Sequence, residues 1–307
     1  MREEFLGLIA PPFTPMRADG SVDLGRIDKH AEAFAADGVR GAFVCGTTGE
    51  GVSLTLSERQ AVAERWREVA STAGKDFLVF VNVGCLAVGD SRTLAAHAQK
   101  IGADAIAAAA PSYFRPACAE DLVGFCAEIA AAAPKLPFYY YHIPAMTNVY
   151  LPVADFLAAA GERMPTLTGV KFTYEDLMDF GRCVRLAGGR YKMLFGRDEI
   201  LLSGLALGAG GAIGTTYNFA APLYYRILRA WEAGDLAAAR KDQALAAEMI
   251  VLMRKFGGVP AAKAMMKMAR LDCGPVRPPL ADLTDEQFAE LRRRLEAIGF
   301  FERCTKA

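Results

Sequence analysis

Histidine is scarce in this 307-residue chain: only His30, His97 and His142 occur, and none stands at a spacing that would hold a metal ion. A metal-dependent mechanism therefore has little to rest on. The seven cysteines (45, 85, 118, 126, 183, 273 and 304) contain no C-x-x-C pair, so neither a disulfide framework nor a zinc site is indicated, and a reducing cytoplasm is the expected compartment. Net charge is also missing, because 35 basic residues balance 35 acidic ones, and no basic block is interleaved with aromatics. Nucleic acid is thus not an expected partner. No apolar run approaches the roughly 20 residues that span a bilayer, so no membrane association is expected. The opening ten residues carry two acids and a short apolar stretch broken by Pro11-Pro12, unlike a secretory leader. No Ser/Gly-rich linker or low-complexity segment marks an independent second domain.

What the chain has is apolar material: 53% hydrophobic against 23% charged residues, ample for a large core. It is distributed as eight short apolar runs, at 5–10, 41–45, 77–83, 105–109, 138–141, 169–172, 192–195 and 212–214, each followed by a segment able to form a helix. That alternation is the pattern of βα units around a buried parallel sheet, and eight of them close a (β/α)8 TIM barrel. The predicted organisation is a catalytic barrel over 1–233 and a C-terminal helical extension packed on it over 234–307. Within the extension, 235–270 reads as two helices broken at Gly257-Gly258-Val259-Pro260, and 284–297 as a third behind Pro278-Pro279. Ser57-Glu58-Arg59-Gln60 has capping-box spacing and predicts a helix start there. The 105–109 run is almost all alanine, so only its place in the repeat makes it a strand.

In such a barrel, chemistry is confined to the C-terminal ends of the strands, and polar residues that follow the apolar runs are the candidates. Gly46-Thr47-Thr48-Gly49-Glu50-Gly51, after the second run, is open to two readings: an ordinary glycine-rich turn, or a cradle of hydroxyls and N–H groups for a carboxylate. Phe138-Tyr139-Tyr140-Tyr141-His142 places Tyr139 and Tyr141 on one face and Tyr140 and His142 on the other. Core packing alone would account for the tyrosines, and His142, directed away from Tyr141, reads as structural. Gly169-Val170-Lys171-Phe172-Thr173 is the sharpest signal, a lysine inside an apolar strand with Lys171 and Thr173 on one face. A strand-end lysine can reach water along its stem. Burial instead would favour the neutral amine, the form that attacks a carbonyl. Gly196-Arg197-Asp198-Glu199 sets two acids at a helix start, where they suit either the helix dipole or the hydroxyls of a sugar-like substrate. Gly214-Thr215-Thr216-Tyr217-Asn218 reads equally as a capped turn. The aromatic loop Pro111-Ser112-Tyr113-Phe114-Arg115-Pro116 is suited to covering the site or meeting another subunit.

These motifs, in this order along almost the whole chain, resemble the N-acetylneuraminate lyase branch of the dihydrodipicolinate synthase superfamily, and the stretch from Phe138 to Asn218 looks especially like the animal-type lyases. The resemblance implies a class I aldolase that takes a small 2-oxo acid or sialic acid substrate. It implies Lys171 as the imine-forming lysine, Tyr141 as the proton-transfer tyrosine, and Thr47 and Thr48 as holders of the pyruvyl carboxylate. It also implies Thr173, Gly196, Asp198, Glu199 and Thr215 as sugar-chain positions. Tyr113 matches a tyrosine that reaches into a neighbouring subunit's site, with a homotetramer the usual assembly, and Thr48 and Tyr113 are expected to relay the phenol's proton. No metal or organic cofactor is implied beyond the covalent Schiff base on Lys171.

Dihydrodipicolinate synthases carry an arginine five positions beyond the tyrosine that Tyr141 matches; here Met146 stands there, and a thioether cannot replace a guanidinium fork. Thr215 replaces a common serine and keeps the hydroxyl, whereas Asn148 stands where glycine is common and is one of the few residues that tolerate a left-handed backbone. The alternatives are a sibling aldolase for another 2-keto-3-deoxy sugar acid, a dihydrodipicolinate synthase, or a silent barrel serving as sensor or scaffold.

Overall fold

The computed structural model describes residues 5–305. Residues 1–4, the start of the stretch that reads unlike a leader, lie outside the described residues, as do 306–307. Eight strands close a parallel barrel in sequence order: β1 (Leu8–Ala10), β2 (Gly41–Val44), β3 (Leu78–Asn82), β4 (Ala105–Ala109), β5 (Phe138–His142), β6 (Leu167–Phe172), β7 (Lys192–Phe195) and β8 (Gly211–Ile213), with β8 pairing back on β1. Helices run between the strands, so the expected (β/α)8 architecture is the observed one.

The first apolar run becomes a strand only from Leu8, because Gly7 holds a positive φ of 96° that breaks the extended backbone. The alanine run is a strand throughout. Its small side chains are what the position requires, since Ala107 and Ala109 stand in register beside Tyr139 and Tyr141 of β5. Large neighbours there would compete for the same interior space.

Two apolar cores follow from the alternation of strand residues. Ile9, Phe43, Phe80, Ala107, Tyr139, Tyr141 and Leu194 fill the barrel interior, while Tyr140, Val170 and Phe172 pack outward against the helices. His142 shares that outer layer, with its ring 5.1 Å from Phe172 and its Nδ1 3.3 Å from the Tyr140 hydroxyl, as a structural residue would.

One local feature sets the height of Lys171. The register between β5 and β6 slips at Phe138/Tyr139, and Gly169 lies so close to β7 that a Cβ there would sit 2.0 Å from the Lys192 carbonyl oxygen. Only glycine admits this approach. Two residues on, Lys171 pairs in register with Tyr141 on one side and Leu194 on the other.

The cap of the second long helix differs from expectation. Helix Leu56–Ala73 starts at Thr55, whose hydroxyl accepts from the Glu58 N–H while the Glu58 carboxylate accepts from the Thr55 N–H. Thr55…Glu58 and Ser57…Gln60 have the same spacing. The former wins because Thr55 keeps the extended backbone (ψ 162°) that a cap needs, whereas Ser57 is already helical.

Beyond the last barrel helix (Tyr217–Glu232) come Leu236–Lys255, Val259–Ala269 and Asp285–Ala297, with a further short helix at Phe300–Arg303. The break between the first two falls at Gly257 and Gly258, both with positive φ. Among the described residues no helix is long and apolar enough to cross a membrane.

Candidate active site

The ends of β2, β5, β6, β7 and β8 surround a cavity of about 220 Å³, and Lys171 lies at its base. The lysine is 3% exposed. Its Nζ stands 3.8 Å from the centre of the Phe43 ring and 3.9 Å from that of Tyr141, and it makes no ion pair with a described residue. Aromatic faces attract the cation only weakly compared with the water they displace. Burial accordingly lowers the amine's pKa from 10.5 to about 7, with the negative charge of Asp198 opposing the shift. A substantial neutral fraction is available at neutral pH, as nucleophilic attack on a carbonyl requires.

Tyr141 is also buried, and its hydroxyl lies 3.3 Å from Thr47 Oγ1. Burial raises its pKa to about 12, against the opposing pull of the Thr47 and Thr173 hydroxyls and of Arg197. The phenol therefore stays protonated and can move a proton only by receiving one as it gives one up. Thr48 is turned differently from the expected relay: its Oγ1 lies 2.7 Å from Thr215 Oγ1, so the phenol's hydroxyl partner is Thr47 and not Thr48.

The two acids after β7 are held in different ways. Asp198 is buried, with Oδ2 accepting from the Thr216 N–H (2.9 Å) and Thr216 Oγ1 (2.7 Å), and Oδ1 without a hydrogen-bond partner among the described residues. Burial raises its pKa to about 6, opposed by Thr216 and by Lys171. Gly214 has no side chain for a reason visible here, since a Cβ would fall 1.7 Å from Asp198 Oδ1. Gly196 makes room in the same way for Thr173, whose Oγ1 would be 2.2 Å from an added Cβ. Glu199 faces Arg197 at 3.5 Å and is also paired with Arg254. Arg197 is paired in turn with Glu175.

Lys171, Tyr141, Thr47, Thr48, Thr173, Gly196, Asp198, Glu199 and Thr215 all line this one cavity, together with Met146. Tyr113 does not. It projects from the loop after β4, 75% exposed, edge-on to the still more exposed Phe114. Asn148 adopts the left-handed backbone (φ 54°) that asparagine tolerates, and it is not part of the cavity wall.

The sequence did not point to the far wall. Ile250, Met253 and Arg254 from helix Leu236–Lys255, with Gly258, Val259 and Ala262 beyond it, complete the cavity. Gln243 of the same helix ties the β7 loop down, donating to the Asp198 carbonyl and accepting from the Leu202 N–H. The extension is part of the site.

At the C-terminal end of a parallel barrel, a buried lysine without an ion pair among the described residues thus stands beside a buried phenol. The comparisons agree on the family. The profile of the dihydrodipicolinate synthetase family matches residues 4–298, and the chain belongs to that family. It is 41% identical over 301 residues to N-acetylneuraminate lyase of Gallus gallus, covering 97% of each chain, and 40% identical over 305 residues to that of Homo sapiens, covering 97% of this chain and 94% of the other. The solved Proteus mirabilis N-acetylneuraminate lyase superposes with a TM-score of 0.91 at 40% identity, covering 96% of this chain and 98% of that one.

Proposed function

We propose that this protein is a Schiff-base aldolase that cleaves N-acetylneuraminate reversibly to pyruvate and N-acetylmannosamine. The observation that carries the reading is the setting of Lys171, buried between two rings, without an ion-pair partner among the described residues, and with its pKa lowered to about 7. The relatives named N-acetylneuraminate lyase supply the substrate.

Thr47 and Thr48 hold the carboxylate of the open-chain substrate, and the neutral Lys171 amine attacks its C2 ketone. Loss of water leaves an iminium that can accept the electron pair of the C3–C4 bond. Tyr141 takes the C4 hydroxyl proton as its own proton passes to the Thr47 hydroxyl, which hands its proton on to the substrate carboxylate it holds, a relay that needs no free phenolate and leaves no hydroxyl charged. The C3–C4 bond breaks, N-acetylmannosamine leaves, the enamine carbon is protonated, and water hydrolyses the imine to free pyruvate and Lys171. Thr173, Gly196, Asp198, Glu199 and Thr215, which all line the cavity, hold the sugar chain. No metal or organic cofactor takes part in this scheme.

An aldehyde substrate bearing a second carboxylate, as in dihydrodipicolinate synthesis, would need a free cation at the mouth. Met146 lines that position, and the guanidiniums of Arg197 and Arg254 are engaged by Glu175 and Glu199. A polyol chain suits this rim better. The exposed Tyr113–Phe114 pair supports assembly into a homotetramer in which Tyr113 reaches a neighbouring protomer's site. The free cysteines suit a cytoplasmic setting.

The test is incubation with pyruvate and borohydride, followed by peptide mass spectrometry, and a parallel assay of N-acetylmannosamine released from N-acetylneuraminate. An adduct on Lys171 with sugar release is the expected result. An adduct without release would move the substrate to another 2-keto-3-deoxy sugar acid, and no adduct would overturn the reading.

A further inference from the structure

The loop that carries Thr47 and Thr48 is fastened at its far end by residues that never reach the cavity. Glu50 ends the loop in a left-handed backbone (φ 55°), a costly conformation for a side chain of this kind. Its carboxylate is buried, with Oε1 accepting from Lys263 Nζ at 2.9 Å and Oε2 from the Arg277 N–H at 2.7 Å. Lys263, equally buried, donates also to the Pro275 carbonyl at 2.6 Å. The guanidinium of Arg277 then reaches Glu58 through two hydrogen bonds and the Gly20 and Ser53 carbonyls through others.

The loop itself is internally bonded. The Glu50 N–H donates to the Thr47 carbonyl (3.0 Å) and the Gly51 N–H to the Gly46 carbonyl (3.1 Å), while Thr14 Oγ1 donates to the Gly49 carbonyl (2.7 Å). On its inner side it has no slack, since a Cβ at Gly51 would lie 1.9 Å from the Cys45 carbonyl oxygen. A turn bonded in this way moves as a unit. Displacement at Glu50 therefore passes to the hydroxyls of Thr47 and Thr48 three and two residues earlier.

We propose that Glu50 and Lys263 form a positioning pair through which the C-terminal extension sets the 2-oxo acid half of the site. The inference rests on the aldolase reading, in which Thr47 and Thr48 hold the pyruvyl carboxylate. Neither residue touches substrate. Lys263 directly follows Ala262, a cavity-wall residue, so the helix that closes the sugar side also anchors the carboxylate side.

The experiment uses the full chain and pyruvate alone. The pyruvate dependence of borohydride trapping on Lys171 is measured for the wild type, for Glu50→Asp, which keeps the charges but shortens the reach, and for the neutral double variant Glu50→Gln/Lys263→Met. Thermal melts accompany each. Misplacement of hydroxyls by a fraction of an ångström is expected to raise the half-saturating pyruvate concentration about tenfold or more in both variants. The trapping rate at saturating pyruvate, and the aldehyde KM in condensation, should stay within about threefold. Variants that melt cooperatively yet saturate at wild-type pyruvate would overturn the proposal, because a merely structural role lowers the Tm without moving that concentration. If the double variant fails to fold, Glu50→Asp decides, with Lys263→Arg as the conservative control. Failure of the wild type to trap pyruvate would instead remove the aldolase reading beneath it.

Discussion

Two lysines among the described residues are buried to the same extent, 3% exposed each, and they are opposites. Lys263 lies against Glu50 and the Pro275 carbonyl, its charge answered on two sides. Lys171 lies between the faces of Phe43 and Tyr141 with no ion-pair partner among the described residues. Burial alone therefore does not make a nucleophile. What separates the two is the partner: Lys263 has a carboxylate and a carbonyl in contact, whereas the aromatic faces around Lys171 leave desolvation to push its pKa to about 7. In the proposed mechanism one site gives up stability for reactivity, while the other uses the same residue type to fasten a loop.

Replacing each lysine with methionine should break the comparison cleanly. Lys171→Met is expected to lower kcat by at least about 10⁴-fold, since no other group can form the imine. It should also raise the melting temperature. Between about pH 7 and 10.5 the folded chain carries fewer protons on this amine than the unfolded chain does, so stability rises with pH across that window and the burial cost is largest below it. Each tenfold loss of proton affinity on folding corresponds to about 1.4 kcal/mol, so the relief at pH 7 is on the order of 4 kcal/mol at most. Lys263→Met has the opposite sign, because it strands the buried Glu50 carboxylate and should destabilise by roughly 3–5 kcal/mol. Calorimetric melts of the two variants settle this, and a Lys171→Met protein that melts below the wild type would show that its amine is paired after all.

The pH profile sharpens the same contrast with a smaller effect. Since attack needs the neutral amine, kcat/KM for pyruvate condensation should fall about tenfold for each pH unit below about 7. The negative charge of Asp198 holds the Lys171 pKa up, so Asp198→Asn should move that acid limb to lower pH. It should also remove any further change near pH 6, where Asp198 itself titrates. An unmoved limb in Asp198→Asn would disconnect the two groups.

The barrel was legible in the sequence because strands buried on both faces must read as unbroken apolar runs, and eight of these recur. Lys171 was legible for the same reason: a charge inside such a run has to be explained. Period two put Tyr141 on its face, and the structure has them in direct register. The extension's part in the site was not legible, because Lys263 meets Glu50 across 213 residues and Arg254 meets Glu199 across 55, and no local pattern reports such distances. A signal was present nonetheless. Lys263 interrupts Val259-Pro260-Ala261-Ala262-Lys263-Ala264-Met265-Met266 just as Lys171 interrupts its strand. The true cap at Thr55 was hidden by an equally spaced neighbour, which only backbone conformation distinguishes.

Arg254 gives the smallest effect and the finest test of how the extension divides its work. It stands on the rim, about half exposed, and its pairing with Glu199 is open to solvent, so its loss should cost at most about 1 kcal/mol of stability. In the proposed mechanism its consequence belongs to the sugar chain, because Arg254 holds the cavity-lining Glu199 whereas Lys263 secures the threonine loop through Glu50. Arg254→Leu leaves Glu199 held only by Arg197 at 3.5 Å and should raise the KM for N-acetylmannosamine a few-fold, roughly 0.5–1 kcal/mol. The half-saturating pyruvate concentration in borohydride trapping should not change. Glu50→Asp is expected to do the reverse, which makes the two variants controls for each other on one protein. Should Arg254→Leu weaken pyruvate and sugar equally, the extension would be acting as a single rigid wall and the division between its two contacts would fail.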